Sequence, residues 1–295
     1  LNEPIHKGRQ RLTGIALMCG AVACFACLDA TAKYLNHHMD TLQVVWARYT
    51  GAFVLALLFT GPSAWRAIHV TSRPGLQLGR SALLLVSTIL NFLALRYLQL
   101  DQALAILFST PFFVTALSGP MLGERVRWRR WTAVAVGFLG VLLVTRPGFG
   151  GIHPAAFLVV GGALCYAFYN VFTRQLAHTD SNETTLFYSN LVGAIAMLPT
   201  LPFVWTTPAD LMIVLLMTAT GAFAAFGHYL LIAAHRLAPA SVLAPFIYTQ
   251  LVWVIALGHF IFGERPDSWT LAGTGIVVAS GLYIFNRERT MMRIR

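Results

Sequence analysis

Lipid makes a charged or amide side chain costly unless a partner or a ligand satisfies it, so polar residues inside long apolar runs are where this chain's chemistry is sought. The run CFACLDATAKYL, Cys24 to Leu35, carries Asp29 and Lys33 one helical turn apart, and VVWARYTGA sets Arg48 about two turns into the following run. Asp29 and Arg48 fall at comparable depth in adjacent runs, so an ion pair is the expected arrangement, with capture of a substrate carboxylate by Arg48 as the alternative. Thr88 and Asn91 lie a turn apart on one helical face, and Tyr166, Asn170 and Thr173 share another by i, i+4 and i+7 spacing. His228 stands alone in a third run, Tyr248, Thr249 and Gln250 follow in succession, and Phe108, Ser109 and Thr110 precede Pro111.

These residues do not make a catalytic set. There is no HExxH, no Ser/His pair at helical spacing, no cluster of carboxylates and no GxxxxGK[ST] loop, so neither an intramembrane enzyme nor direct ATP use is expected. Cys19, Cys24, Cys27 and Cys165 all sit in apolar runs without metal-ligand spacing, which makes them small buried hydrophobes; no metal and no cofactor are expected.

The elements that must position these side chains follow from composition. The 295 residues are 57% hydrophobic and 11% charged, with a mean hydropathy of +0.67, a membrane balance rather than a soluble one. A spanning helix takes about 20 mainly apolar residues. By that measure helices are expected near 12–35, 41–60, 81–98, 102–122, 131–145, 154–176, 184–204, 211–235, 239–262 and 269–285, an all-α membrane protein of ten transmembrane helices. The start, LNEPIHKGRQR, reads as the flank of the first span and not as a signal peptide. The net charge of +10 does not indicate nucleic acid, because the basic residues lie in short breaks and tails. They collect on one side, at Lys7 to Arg11, Arg66 to Arg80, Arg125 to Arg130, Arg174, Arg236 and Arg287 to Arg295, while Arg96, Arg146 and Arg265 fall on the other. Both termini are therefore expected in the cytoplasm.

The chain also repeats itself. Ala94 to Arg125 aligns without gaps with Ala234 to Arg265 at an offset of 140, sharing Gly-Glu-Arg at 123–125 and 263–265 and pairing Thr88 with His228 just upstream. CFACLDATAKYL meets CYAFYNVFTRQL at an offset of 141, so Asp29 answers to Asn170 and Lys33 to Arg174; at 142, Arg48 answers to Asn190. Lys33 and Arg174 read as end anchors that reach the interface on opposite faces. Each half holds five spans, and an odd number inverts the second half relative to the first, an arrangement that places a binding site between halves near the midplane. The halves run over 12–146 and 153–286, with a basic tail at 287–295.

The block from Tyr97 through Gly-Glu-Arg at 123–125 and RRWTAVAVGFLGVLLV, with its second copy, resembles the two EamA domains of the drug/metabolite transporter superfamily, and within it bacterial exporters of aromatic and other hydrophobic amino acids. The resemblance implies a secondary transporter in a bacterial inner membrane that exports small amphipathic metabolites, amino acids above all, by alternating access, with uptake or exchange as the alternative. It further implies a central cavity between spans 1, 3, 4, 6, 8 and 9, where the polar and aromatic residues deep in the runs, Thr88, Asn91, Phe108, Tyr166, Asn170, His228, Tyr248, Gln250 and Trp253, are the expected lining. There His228 or a cavity amide would meet a carboxylate, Asn170 and Gln250 an ammonium, and the aromatic residues an apolar side chain. Asp29 and Arg48 would shape the outer gate or cavity wall, and Asp29 and His228 are the candidates if protons couple. Gly137, Gly140, Gly273, Gly275 and Gly281 suit either close packing or a homodimer through spans 5 and 10.

Overall fold

A computed structural model describes residues 3–59, 70–122, 128–146, 153–176, 179–238, 243 and 246–293. The helices in chain order are α1 (Glu3–Leu35), α2 (Thr41–Phe59), α3 (Pro74–Ala94), α4 (Leu100–Leu107), α5 (Thr110–Leu122), α6 (Trp128–Thr145), α7 (Ala156–Leu176), α8 (Asn182–Met197), the single turn α9 (Leu201–Val204), α10 (Leu211–Leu237), α11 (Gln250–Phe262) and α12 (Ser268–Arg293). No strand occurs among the described residues. The described residues contain seven helical stretches long and apolar enough to cross a membrane, while Val134–Thr145 and Gln250–Phe262 are apolar but shorter. Length and composition thus reach seven of the ten expected spans.

Helix ends follow local chemistry. Pro74 opens α3 where its missing N–H costs nothing, Ser181 Oγ accepts from Thr184 N at 3.1 Å, and Asp210 Oδ1 accepts from Ile213 N at 2.9 Å. Three expectations change. The third helix starts at Pro74 rather than residue 81, because Gln77, Arg80, Ser81 and Leu84 form one buried face. The tenth helix, expected to end near 285, continues as far as Arg293. The fourth span is broken at Phe108–Ser109 into α4 and α5. Pro111 cannot donate to Leu107 O, and the Thr110 hydroxyl takes that carbonyl at 2.7 Å instead. A second break, at Tyr248–Thr249 before α11, occupies the same place at the repeat offset of 140.

Contacts between the halves recur when the halves are exchanged. α1 packs on α10 as α7 packs on α3, α2 on α10 as α8 on α3, and α1 on α11 as α7 on α5 and α4. α6 packs on α12 through Gly140 and Gly273, where a Cβ on Gly273 would stand 2.6 Å from Gly140 O. Gly137 lies under the Phe112 ring and Gly281 under the Tyr248 hydroxyl. Four of the five glycines offered for a homodimer are therefore occupied within the protomer, and the close approach they permit is intramolecular. Large apolar side chains such as Leu58, Phe157, Phe203, Leu211 and Phe260 point outward, as a lipid-facing surface requires.

Candidate functional site

The site starts from the meeting of α2 and α3. Thr88 donates to Leu84 O at 2.9 Å and shares a hydrogen bond with Tyr49 OH at 2.9 Å, which fixes its oxygen as a weak acceptor for Arg48 Nη1 at 3.5 Å. The Arg48 guanidinium lies over the Tyr49 ring, 4.5 Å from its centroid. Only 8% of Arg48 is exposed, and its Nε has no hydrogen-bond partner. A buried guanidinium with one long hydrogen bond and an idle N–H is equipped to receive an anion.

Arg48 is close enough to Asp29, Tyr166 and His228 for its charge to act on each. The expected direct Asp29–Arg48 ion pair is not formed, because the guanidinium turns toward Thr88 on α3 and the Tyr49 ring. Asp29 is half-buried nearby, so anion and cation receptors stand near each other without cancelling in direct contact. Asn91, one turn beyond Thr88, has its Oδ1 buried and without a donor.

The remaining residues divide. His228 packs edge-on against Phe25, 5.1 Å between ring centroids. Tyr166 stacks on Tyr169 at 5.3 Å. Asn170 donates its amide Nδ2–H back to Tyr166 O at 2.7 Å, a bond that does not use the Oδ1 acceptor expected to meet an ammonium. Phe108 and Tyr248 meet at the two helix breaks, and Gln250 is buried beside them at the start of α11. Trp253 is not part of this group; it is 45% exposed and shares an outward face with Phe260, one heptad on.

The charge pattern puts Arg80 in a basic loop, yet it is wholly buried. Its guanidinium donates to Thr173 Oγ1 (3.0 Å), Ser189 Oγ (2.6 Å), Thr185 O (3.2 Å), Tyr169 OH (3.4 Å) and Gln77 Oε1 (3.3 Å), tying α3 to α7 and α8. Gln77 passes the link on to Asp180 at 2.7 Å, which also accepts from Thr71 Oγ1 and Ser72 N. Burial pushes the Asp180 carboxyl up, but these donors outweigh it and hold the group below its ordinary value. The signal for Arg80 is the i, i+3, i+4, i+7 spacing of Gln77, Arg80, Ser81 and Leu84.

Lys33 closes the opposite end. It is 8% exposed, donates to Leu98 O and pairs with Glu264 Oε1 at 2.5 Å. Lys33 is therefore a tie between α1 and the α11–α12 turn and not an anchor reaching for the interface. Gly263, at φ 68°, caps α11 in the left-handed region and folds Glu264 back over Gly258, where a Cβ would meet Glu264 Oε2 at 2.7 Å. Glu264 Oε2 then accepts from Leu100 N at 3.0 Å. The matching Gly-Glu-Arg at 123–125 lies outside the described residues. At the same end Gln43 and Thr206 exchange two hydrogen bonds of 2.8 Å.

The model of the EamA-like transporter family matches residues 12–146 and again residues 153–286. An S-adenosylmethionine uptake transporter of Rickettsia conorii is 28% identical over 95% of both chains. A riboflavin transporter of Vibrio cholerae is 28% identical over 96% of both, and the pseudopaline exporter CntI of Pseudomonas aeruginosa is 26% identical over 91% of this chain and 94% of its own. A crystal structure 16% identical superposes with a TM-score of 0.62 over 92% of this chain and 94% of the other, a likeness of fold alone.

Proposed function

The chain belongs to the EamA-like transporter family, and on that premise we propose that it is a secondary transporter of small amphipathic metabolites carrying a carboxylate and a planar or apolar body. It is a multi-pass membrane protein, and its bacterial relatives fit an inner membrane. The observation that carries the substrate reading is Arg48, a buried cation with an idle Nε, near Asp29 and His228 and beside the Tyr166–Tyr169 stack. Arg48 receives the carboxylate, Asp29 and Asn91 offer oxygen to a cationic or amino group, and the Phe108, Tyr166 and Tyr248 rings bear the body.

Amino acids fit this class, as the sequence suggests; a relative named for S-adenosylmethionine, which also carries a carboxylate, extends it to a larger metabolite with a planar ring, whereas a relative named for riboflavin shares the planar body without the carboxylate. A relative named for uptake favours import beside export. Two ties at opposite ends, each joining the two halves, support an alternating-access reading. Lys33–Glu264 and Gln43–Thr206 hold the end we assign to the outside, while Arg80 and Asp180 hold the cytoplasmic end. Release of one set while the other holds would expose the site to one side at a time.

Counterflow in proteoliposomes tests this reading with a panel of aromatic amino acids, S-adenosylmethionine, riboflavin and uncharged analogues. Exchange of at least one carboxylate-bearing member is expected. Absence of any exchange would remove the transport reading, and exchange confined to uncharged solutes would remove Arg48 as the selecting group.

A further inference from the structure

The start of α4 holds a buried carboxylate that neither the substrate site nor the helix ties use. Asp101 is 3% exposed, and its Oδ2 has no hydrogen-bond partner; Gln99 Oε1, two residues earlier, is a second buried acceptor without a donor. Beside them stands the Lys33–Glu264 tie, with Glu264 bonded to the Leu100 N–H that immediately precedes Asp101.

No cation is paired with Asp101 among the described residues. From the elements packed on α4 the charged or chargeable groups at this end are Glu264, Arg265 and Asp267 in the α11–α12 turn, His259 on α11 and Arg146 at the end of α6; α7 brings Cys165, Tyr166 and Tyr169 but no charged side chain before Arg174, and α12 brings no Asp, Glu, Lys or Arg before residue 287. Arg146 pairs with Asp267 at 2.5 Å, His259 Nδ1 faces Glu264 O at 3.3 Å, and Arg265 is exposed. In the turns that flank α4 and α7, Arg96 donates to Asn36 O and Met39 O, and His153 stacks on Tyr97. Lys33 is taken by Glu264 and Arg146 by Asp267, and among the described residues no salt bridge reaches Asp101, which leaves its negative charge unpaired in a buried place.

We propose that Asp101 is the seat of a coupling proton. The proton adds to Oδ2, cancels the unpaired charge and turns an orphan acceptor into a donor where Gln99 Oε1 lacks one. With the proton on, Asp101 no longer repels Glu264, which favours the closed Lys33–Glu264 tie, and loss of the proton restores that repulsion and loosens it. The site thereby links proton occupancy to the end of the molecule that opens. This inference rests on the transport reading for its use, but the proton site itself is measurable without any substrate.

Infrared difference spectra of the reconstituted full chain between about pH 8 and about pH 5 read carboxyl protonation directly. A protonated-carboxyl band in the wild type is expected to be lost in Asp101→Asn and shifted in frequency by Gln99→Leu, which removes the O–H acceptor. In proteoliposomes, Asp101→Asn is expected to retain counterflow but to lose accumulation driven by a pH gradient. A band that survives in Asp101→Asn and is unmoved by Gln99→Leu would overturn the proposal, as would acid-driven accumulation by Asp101→Asn or accumulation driven by sodium alone. Absent counterflow in the wild type with the band still present would instead count against the transport reading and leave the proton site standing.

Discussion

The rings of Phe108 and Tyr248 meet edge to face, 5.1 Å between centroids and 80° between planes, and the two residues occupy the same position in the two halves of the chain, 140 residues apart. Each ends a helical segment at a break, so the contact joins the two interruptions where a solute would pass between the halves. Tyr248 is held there because its hydroxyl lies against Gly281, where a Cβ would come within 1.8 Å. Gly281→Ala is expected to displace the ring and lower transport about two- to tenfold, the worth of roughly 0.5–1.5 kcal/mol of aromatic contact. Transport assays should show Tyr248→Phe nearly normal, since the ring persists; a wild-type rate in Gly281→Ala would mean that the contact is packing only.

Lys33 and Glu264 are both close to fully buried, with side-chain exposures of 9% and 12%. Removing one partner strands the other, at a cost of about 3–5 kcal/mol, whereas replacing both with apolar residues costs far less. Melting temperatures in detergent should fall sharply for Lys33→Met and for Glu264→Leu and recover most of the loss in the double variant. Additive losses would show that the pair does not act as a unit.

The hydrogen bonds on Asp180 stabilise its carboxylate, so its contribution to stability is present above the ordinary value of 3.8 and is lost as pH falls through the lowered one. Asp180→Asn removes that dependence. Acid unfolding followed by tryptophan fluorescence should show a shallower limb below about pH 4 for the variant; identical limbs would mean that the bonds from Thr71 and Gln77 do not favour the charged form.

Gly273 and Gly140 bring the α6 and α12 backbones together, and backbone atoms cannot yield to a new methyl. Gly273→Ala is expected to destabilise the protein by about 1–3 kcal/mol, as overpacking does. Size-exclusion with light scattering should show no change in oligomeric state; conversion of a dimer to a monomer would return these glycines to an interface between copies.

Much of this arrangement is legible in the sequence. The repeat offset of 140 pairs Phe108 with Tyr248 and so sets the two helix breaks in register, and the apolar runs locate the helices. Arg80 and Lys33 are misplaced for one reason: the positive-inside pattern treats arginines and lysines near a helix end as interfacial, while here hydroxyls, carbonyls and one carboxylate satisfy them in the interior. Depth alone brings Asp29 and Arg48 together, yet the guanidinium turns to Thr88, because rotamer choice depends on neighbours that spacing does not reveal. Asp101 falls just ahead of the helix expected over 102–122, where an acidic residue draws no attention, and only its burial beside Glu264 marks it out.

Arg48 as the receiver of the substrate carboxylate is tested most directly by counterflow of a transported carboxylate-bearing metabolite and its amide in proteoliposomes, comparing the wild type with Arg48→Gln and Arg48→Lys. A charged hydrogen bond is worth roughly 1.5–3 kcal/mol, so Arg48→Gln should raise the apparent KM for the carboxylate about tenfold or more and leave the amide little changed. Arg48→Lys should rescue only in part, because an ammonium lacks the two-pronged fork. Equal loss of acid and amide, or no loss of either, would contradict that role.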